Sequence, residues 1–184
     1  MKRLLDVFLA SLALILCLPL MLAMAAAVFC HDRGRVIFRQ TRVGLGGREF
    51  EMLKFRSMVL DAERQGGYAT ADNDLRITPI GRLIRRSSLD ELPQLLNVVR
   101  GDMSIVGPRP DVPAQRALYG SEEWLLRHSV RPGITGLAQS TLRSDATPAQ
   151  RKRLDLEYAR GVSIWFDLKI IAWTIRQILL KGGN

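Results

Sequence analysis

The stretch LLDVFLASLALILCLPLMLAMAAAVF, residues Leu4–Phe29, decides the architecture of this chain because it is both long and apolar. As a straight α-helix it would measure about 39 Å at ~1.5 Å per residue, which is enough to cross a bilayer. Asp6 is its only ionisable group besides a cysteine thiol. The sequence therefore predicts a membrane helix near the N-terminus.

Three arrangements of this helix compete. A signal peptide would use Lys2 and Arg3 as its basic start and Ala23-Met24-Ala25 as its cleavage site, but the apolar run is long for one. A straight transmembrane span is the usual default. The third arrangement enters the membrane, bends and leaves on the same side.

Two features favour the bent arrangement. Pro19 lies inside the run, where a proline removes one backbone hydrogen bond and bends the axis. Basic residues flank both ends of the run, and positive charge prefers the cytoplasmic side of a membrane. These residues are Lys2, Arg3, Arg33, Arg35, Arg39 and Arg42. From the residues alone, the bent helix and the straight span both remain open.

The composition narrows the class of partner. Among 184 residues, 27 Lys and Arg face 18 Asp and Glu, and the net charge of +9 suggests phosphate groups, acidic lipid or nucleic acid. An aromatic content of 7% is too low for the stacking platforms of single-strand nucleic-acid binders. Cys17 and Cys30 both lie in the N-terminal apolar part, which argues against a disulfide framework. His31 and His128 have no cysteine or histidine neighbours at zinc-site spacing.

A β-hairpin is predicted after the apolar run. Arg35–Gln40 and Glu49–Phe55 carry strand-like apolar and aromatic residues. The loop between them contains Gly44, Gly46 and Gly47, whose spacing is not that of a phosphate-binding loop, so we interpret them as turn glycines.

The rest of the chain predicts helices joined by fixed loops, and the fold class is therefore α+β, mainly helical. Predicted helices cover Gly81–Arg86, Leu92–Val99, Ser121–His128 with Ser121 as its cap, a segment capped by Thr147 and ended by Gly161, and Ile164–Leu180. Predicted loops cover Gly66–Asp74 and Gly101–Pro113. Ile164–Leu180 is apolar around most of its circumference, so burial in a core or oligomer contact and a place on the membrane surface both remain open.

The segment SSLDELPQ, Ser87–Gln94, contains two adjacent carboxylates with two interpretations. Ser88 and Glu91 match a capping box, in which Asp90 would be an acidic residue of an ordinary first turn. That register would place Pro93 at the fifth helical position, so the helix must bend there or start later. Alternatively, Asp90 and Glu91 point in different directions from one turn, and one could attack a phosphorus while the other holds a metal.

Other nucleophiles have little support. The chain has no G-x-S-x-G motif, and both cysteines lie in the apolar part. Carboxylates and phosphate-binding cations remain. Arg109 lies between Pro108 and Pro110, a stiff backbone that reduces the entropy lost on binding a phosphate, and Arg131 precedes Pro132-Gly133. From the residues alone, phosphate binding and an ordinary place on a charged surface both remain open for these two arginines.

Three separated segments together carry a resemblance. SSLDELPQLLNVVRGDMSIVGPRP, RPGITGLAQ (Arg131–Gln139) and DLKIIAWTI (Asp167–Ile175) occur in this order, and the chain resembles the bacterial sugar transferase family over nearly its whole length. These are small monotopic phosphoglycosyl transferases. The resemblance implies transfer of a sugar 1-phosphate from a UDP-sugar to polyprenyl phosphate, giving a polyprenyl diphosphate sugar and UMP at the cytoplasmic face of the bacterial inner membrane.

The resemblance also implies roles for individual residues. Asp90 would be the nucleophile that forms an aspartyl phosphosugar, and Glu91, with Asp90 beside it, would help to bind Mg²⁺. Lys54 and Arg109 would handle substrate phosphate, while Arg85 would meet the acidic headgroup of the acceptor lipid. Arg131 stays a candidate for phosphate binding from its place before Pro132-Gly133.

The family's re-entrant helix implies that residues 1–30 enter and leave the membrane on one side, with residues 31–184 as the catalytic domain and amphipathic helices at the interface. Family members often have Ser-Pro at the bend, whereas this chain has Leu18-Pro19. The bend must then depend on Pro19 and tertiary contacts, without help from a serine hydroxyl.

A non-catalytic membrane module that binds phosphorylated lipids is the alternative function, and nucleic acid is not expected as a partner. The sequence does not reveal the sugar or the pathway. A homo-oligomer is left open by the apolar face of the C-terminal helix.

Overall fold

The computed structural model describes residues 1–62, 66, 74–142 and 147–181. These residues form a mainly helical structure with a small antiparallel hairpin, which confirms the predicted fold class. The helices are α1 (Lys2–Asp32), α2 (Pro79–Arg86), α3 (Gln94–Arg100), α4 (Ser121–Arg127), α5 (Leu137–Thr141), α6 (Pro148–Arg160) and α7 (Ile164–Lys181). The strands are β1 (Ile37–Val43), β2 (Glu49–Phe55), β3 (Ser104–Val106) and β4 (Gly133–Thr135), and short 3₁₀ helices cover Leu45–Gly47, Leu89–Glu91 and Pro113–Leu118.

Helix α1 runs without interruption through Pro19 and is long and apolar enough to cross a membrane. One stripe of small and apolar side chains, spaced three or four residues apart, packs on the rest of the chain. Ala10 joins a cluster with Met52 and Val98 near the start of the helix, and Val28 joins another with Phe55 and Ile84 near its end. Most of the remaining surface of α1 is exposed and apolar.

Polar contacts also hold both ends of α1. The Asp6 carboxylate accepts hydrogen bonds from the Ser104 hydroxyl at 2.8 Å and from the Ile105 N–H at 3.1 Å. At the other end, Asp32 forms an ion pair with Arg56, which follows β2. Both ends of the apolar helix are therefore fixed to the remainder of the protein.

The predicted hairpin is confirmed, with a small shift of its first strand. β1 pairs antiparallel with β2 from Ile37 opposite Phe55 to Val43 opposite Glu49. β1 begins two residues later than predicted and continues three residues further. Gly46 and Gly47 have φ values of 67° and 78°, the left-handed conformation that glycine adopts without steric cost, so they are turn residues as expected.

The predicted irregular loop Gly101–Pro113 contains a strand, β3, which corrects that prediction. β3 runs parallel to β4, with the Ser104 N–H donating to the Pro132 carbonyl at 2.8 Å. The pairing requires close backbone contact, since a Cβ on Gly107 would lie 2.2 Å from the Arg131 carbonyl oxygen. A three-residue strand whose partner lies far along the chain has no local periodicity by which a sequence could reveal it.

The predicted helices are all present, with ends that shift by at most two residues and with one change of cap in α4. Thr147 caps α6, Pro148 takes its first position and Gly161 ends it, as predicted. For α4, however, the predicted cap Ser121 is wrong because the helix is capped at Gly120, whose N–H donates to the Glu123 carboxylate at 3.0 Å. The predicted loop 66–74 lies mostly outside the described residues.

One face of α7 is buried and the other is exposed. Ile170 packs in a cluster with Val106, Leu137 and Tyr158, whereas Trp165 is largely exposed. The helix therefore combines a core-facing stripe with an exposed apolar surface. Burial in the core is confirmed for the stripe, and a place on the membrane surface stays a prediction for the exposed side.

A buried amide joins α3 to the hairpin. The Asn97 side chain accepts a hydrogen bond from the Leu53 N–H at 3.0 Å and donates to the Glu51 carbonyl at 2.8 Å and to Asp102 at 3.1 Å. Asn97 is fully buried, and its bond from the Leu53 N–H lies in the protein interior, where a hydrogen bond is stronger than in water. The bonds of Asn97 to Leu53 and Glu51 fix the position of β2 along α3.

We predict that Asn97→Leu lowers the free energy of unfolding by about 2–4 kcal/mol, because it leaves the buried Leu53 N–H and the partly buried Glu51 carbonyl without these partners. Denaturant unfolding in detergent micelles would measure the change. Arg39→Leu is the control, since Arg39 meets the same Glu51 only through an exposed side-chain ion pair and should have little effect. Equal losses in the two variants would contradict the role given to Asn97.

Candidate active site

The two adjacent carboxylates lie in a 3₁₀ turn between α2 and α3. Ser88 has a φ of 56° and makes no capping bond, so the predicted capping box is wrong. α3 begins at Gln94, directly after Pro93, where a proline disrupts no helical hydrogen bond. The helix therefore starts later than the capping box requires, and both carboxylates are free for other contacts.

Glu91 is held by two cations from distant parts of the chain. Its Oε1 accepts a hydrogen bond from Lys54 Nζ at 2.7 Å and one from the Arg109 guanidinium at 3.3 Å. Lys54 belongs to β2, and Arg109 lies in the loop after β3. Burial acts to raise the pKa of Glu91, but the charges and hydrogen bonds of Arg109 and Lys54 outweigh it and lower the pKa to about 2.

Asp90 is in a different electrostatic environment from its neighbour. The residue is only 8% exposed, and among the described residues it has no ion-pair partner within 4 Å. Burial raises the pKa of Asp90 above its ordinary value, with a further contribution from the charge of Glu91, while Lys54 and Arg85 oppose the shift. Asp90 is therefore the more basic of the two carboxylates and the better suited to attack an electrophile.

The other predicted residues differ in their distance from the dyad. Lys54 and Arg109 touch Glu91, and Arg85 acts on Asp90 through its charge. Arg131 instead donates its Nε–H to the Gly101 carbonyl at 2.9 Å, next to the end of α3. The structure thus brings five of the six predicted residues together, and phosphate binding by Arg131 stays a prediction.

A narrow cleft beside the dyad adds two residues that the sequence did not indicate. Arg42 and Gln94 line it together with Lys54 and Arg109. Burial lowers the pKa of Arg42 to about 10, and the nearby charge of Arg109 adds to the effect. The hairpin register could have revealed Arg42. Arg42 lies opposite Phe50, and alternate residues of a strand share a face, so Arg42 and Lys54 lie on the same face of the hairpin.

The backbone that carries Arg109 is fixed from behind by a buried ionic cluster. Arg127 donates to the Arg109 carbonyl at 2.8 Å and to the Asp155 carboxylate at 2.7 Å, and it also forms an ion pair with Asp111. All three charged residues of this cluster are buried. Removal of one member would leave an uncompensated buried charge, so the cluster strongly constrains the loop.

Asp90 and Glu91 could supply only part of the ligands of a magnesium ion. Within the described parts of the chain, no three His, Cys, Asp or Glu side chains are grouped as metal ligands. Mg²⁺ is commonly held by one or two carboxylates and completed by water and substrate phosphates. Asp90 and Glu91 therefore fit an ion that arrives with a diphosphate, and Mg²⁺ binding stays a prediction.

The low pKa of Glu91 can be tested through Lys54. In Lys54→Met, Glu91 remains buried but loses one hydrogen bond and one nearby positive charge, so its pKa should rise by about one unit or more. The ¹³C carboxyl shift of labelled Glu91, assigned with Glu91→Gln, should stay flat above about pH 3 in the parent and titrate in the variant. Arg39→Met is the control, and an equally flat curve for Lys54→Met would contradict the electrostatic account.

Comparison with known proteins gives a consistent result over the whole described chain. A family model described as bacterial sugar transferase matches residues 1–181. The chain is 45% identical over 181 residues to the UDP-glucose:undecaprenyl-phosphate glucose-1-phosphate transferase of Klebsiella pneumoniae, covering 95% of this chain and 39% of that protein.

Two further relatives show the same similarity with different coverage. A UDP-N-acetylgalactosamine-undecaprenyl-phosphate N-acetylgalactosaminephosphotransferase of Aeromonas hydrophila is 41% identical over 99% of this chain and 44% of its own length. A UDP-glucose:undecaprenyl-phosphate glucose-1-phosphate transferase of Caulobacter vibrioides is 43% identical over 97% of this chain and 69% of its own length. The chain spans about two fifths of the length of the Klebsiella and Aeromonas proteins. By these matches, the chain belongs to the bacterial sugar transferase family.

Proposed function

We propose that this protein transfers a sugar 1-phosphate from a UDP-sugar to polyprenyl phosphate through a covalent intermediate on Asp90. The names of its relatives support the reaction class. The observation that carries the proposal is the environment of Asp90: a buried carboxylate without an ion-pair partner among the described residues, directly beside a carboxylate engaged by two cations. In such a pair, the environments give the two carboxylates different roles: Asp90 can act as the nucleophile, and Glu91 can hold the cations of the site.

In the first step, an Asp90 carboxylate oxygen attacks the phosphorus that bears the sugar. A new bond joins this oxygen to the phosphorus, and the bond between the phosphorus and the bridging diphosphate oxygen breaks. UMP leaves with that oxygen and its electron pair. Lys54 and Arg109 can stabilise the charge that develops on the phosphate oxygens, since both face the cleft next to the dyad.

In the second step, a phosphate oxygen of the polyprenyl phosphate attacks the phosphorus held on Asp90. The bond between Asp90 and phosphorus breaks, the carboxylate is restored, and the product is a polyprenyl diphosphate sugar. Arg85 is partly exposed beside Asp90 and can bind the acceptor headgroup. A covalent intermediate lets a soluble donor and a lipid acceptor use one site in turn.

Mg²⁺ would be held by Glu91 and Asp90 together with the donor diphosphate, and when bound it would neutralise charge on the phosphate oxygens. Lys54 and Arg109 already occupy Glu91 Oε1, so they keep the glutamate ionised and oriented before a donor arrives. Both cations would then be shared between Glu91 and the donor. The +9 charge of the chain favours the approach of both phosphorylated substrates.

The contacts of α1 support a membrane site that is reached from one side. Both ends of α1 pack on the same remainder of the chain, whereas Ile15, Leu16 and Leu18 beside Pro19 are exposed. Insertion of this middle part from the cytoplasmic face of the inner membrane would bury it in lipid without moving either basic end across. The exposed apolar face of α7, which includes Trp165, is suited to the headgroup region.

Incubation with a UDP-sugar alone should place a sugar-phosphate mass on the peptide that contains Asp90 and release UMP. UDP-glucose and UDP-N-acetylgalactosamine are the first donors to test, each with Mg²⁺ and with a chelator. Asp90→Asn should abolish the adduct because an amide is a poor nucleophile. Intact-protein and peptide mass spectrometry would detect it.

Asp61→Asn is the matched control, since Asp61 is exposed and has a positive φ that asparagine tolerates. An Asp90→Asn protein with normal turnover would exclude the covalent role. Lipid binding without nucleotide release from any donor would instead support a non-catalytic membrane module.

The rate of UMP release should fall as the pH drops through the pKa of Asp90, because the attacking carboxylate must be ionised. The pKa of Glu91, about 2, keeps that residue charged over the same range. The charge of Arg85 lowers the pKa of Asp90, so Arg85→Met should move the acidic limb of the pH profile to higher pH. Single-turnover UMP release measures this step without the acceptor lipid.

Arg86→Met provides the comparison for this pH profile. Arg86 is the next residue on α2, is exposed and is not among the charges that act on Asp90. Its substitution should leave the acidic limb in place. The same limb in Arg85→Met and in the parent would contradict the assignment of the limb to Asp90.

A further inference from the structure

Gln94 is a buried polar side chain whose amide has no hydrogen-bond partner in the described parts of the chain. It is 3% exposed and lines the cleft with Arg42, Lys54 and Arg109. Among the described residues, its amide neither donates nor accepts a hydrogen bond, although the neighbouring Asn97 makes three. The amide atoms of Gln94 are not completely enclosed by protein, and the residue lines the cleft, so we place the amide at the cleft wall.

A buried amide without partners is unfavourable unless something supplies them. Carboxamides offer two N–H donors and an acceptor oxygen, and native proteins pair the great majority of such buried groups. An apolar side chain of similar size would fill this position without the desolvation cost of an amide. The position of the amide at the cleft wall leaves its donors and its acceptor available to a group that enters the cleft.

The chemistry of the cleft identifies that partner. Phosphate oxygens only accept hydrogen bonds, and Arg42, Lys54 and Arg109 already supply donors for them. A sugar hydroxyl both donates and accepts. Of the described residues that line the cleft, Gln94 alone has a side chain that does both.

We propose that Gln94 binds a hydroxyl of the transferred sugar and contributes to the choice of donor. Gln94 follows Asp90 by four residues, at the first position of α3. The amide shares the cleft with Lys54 and Arg109, which also hold Glu91, so a donor whose phosphate these cations bind would bring its sugar to the amide. This inference rests on the proposed transfer reaction and adds a residue that reads the sugar.

The test compares donors that differ by one hydroxyl. UMP release is measured with UDP-glucose and its 2-, 3-, 4- and 6-deoxy analogues, using the parent protein, Gln94→Leu and Gln94→Met. At one ring position, the parent should prefer the hydroxylated donor by about tenfold or more in kcat/KM. Both variants should reduce this preference to nearly one, chiefly by using the parent sugar less well.

The preference is a ratio within one preparation, so partial loss of folded protein cancels. Gln150→Leu makes the same chemical change at an exposed cap of α6, outside the cleft, and should keep the parent's preference. If the parent releases no UMP from any UDP-sugar, the proposed function itself fails. If the parent is active, any of three results would overturn the role of Gln94. The parent could show no preference, both Gln94 variants could keep the parent's preference, or the variants could lose activity equally on every donor.

Discussion

The two bonds to Glu91 Oε1 join three segments that are far apart in the chain. Lys54 comes from the hairpin, Glu91 from the turn before α3, and Arg109 from the loop after β3. Lys54 and Glu91 are largely buried, and burial of such charges is costly unless they are paired and their backbone is fixed. The bonds from Asn97 fix the backbone of β2, which carries Lys54, and the bond from Arg127 fixes the backbone at Arg109. The site therefore depends on the packing of α3 and α4 as much as on its own charges.

Two neighbouring carboxylates acquire opposite properties from this arrangement. Glu91 contacts both cations and has a lowered pKa, whereas Asp90 is buried without an ion-pair partner among the described residues and has a raised pKa. The difference comes from the 3₁₀ turn, since consecutive residues of a tight helical turn point in different directions. One residue of the pair can then organise positive charge while the other keeps its lone pairs available.

Local patterns predicted the parts of the fold that local interactions determine. Glycines and strand residues predicted the hairpin, and Thr147, Pro148 and Gly161 predicted the bounds of α6. The capping box at Ser88 failed because Glu91 is occupied by side chains from elsewhere, and a local motif cannot indicate such competition.

The residues missed by sequence reasoning have nonlocal roles. β3 exists through its pairing with β4, Asn97 through its bonds to β2, and Arg42 through the face of the hairpin on which it lies. The dyad and its cations were predicted by resemblance, and their mutual contacts required the tertiary structure. The amide of Gln94 stands out only when its burial and its lack of partners are both known.

The apolar helix that dominates the sequence is also part of the framework of the site. Within its first two turns, Lys2 donates to the Val106 carbonyl and Asp6 accepts from Ser104 and Ile105, so α1 holds every residue of β3. β3 leads directly into the loop that carries Arg109. A carboxylate in an otherwise apolar helix is costly to bury unless it is hydrogen-bonded, and here the bonds of Asp6 fix the strand that precedes Arg109. An unrelated apolar helix could hold this protein at a membrane, but it would leave the Ser104 hydroxyl and the Ile105 N–H without their acceptor, so anchoring and the geometry of the site are determined by the same residues.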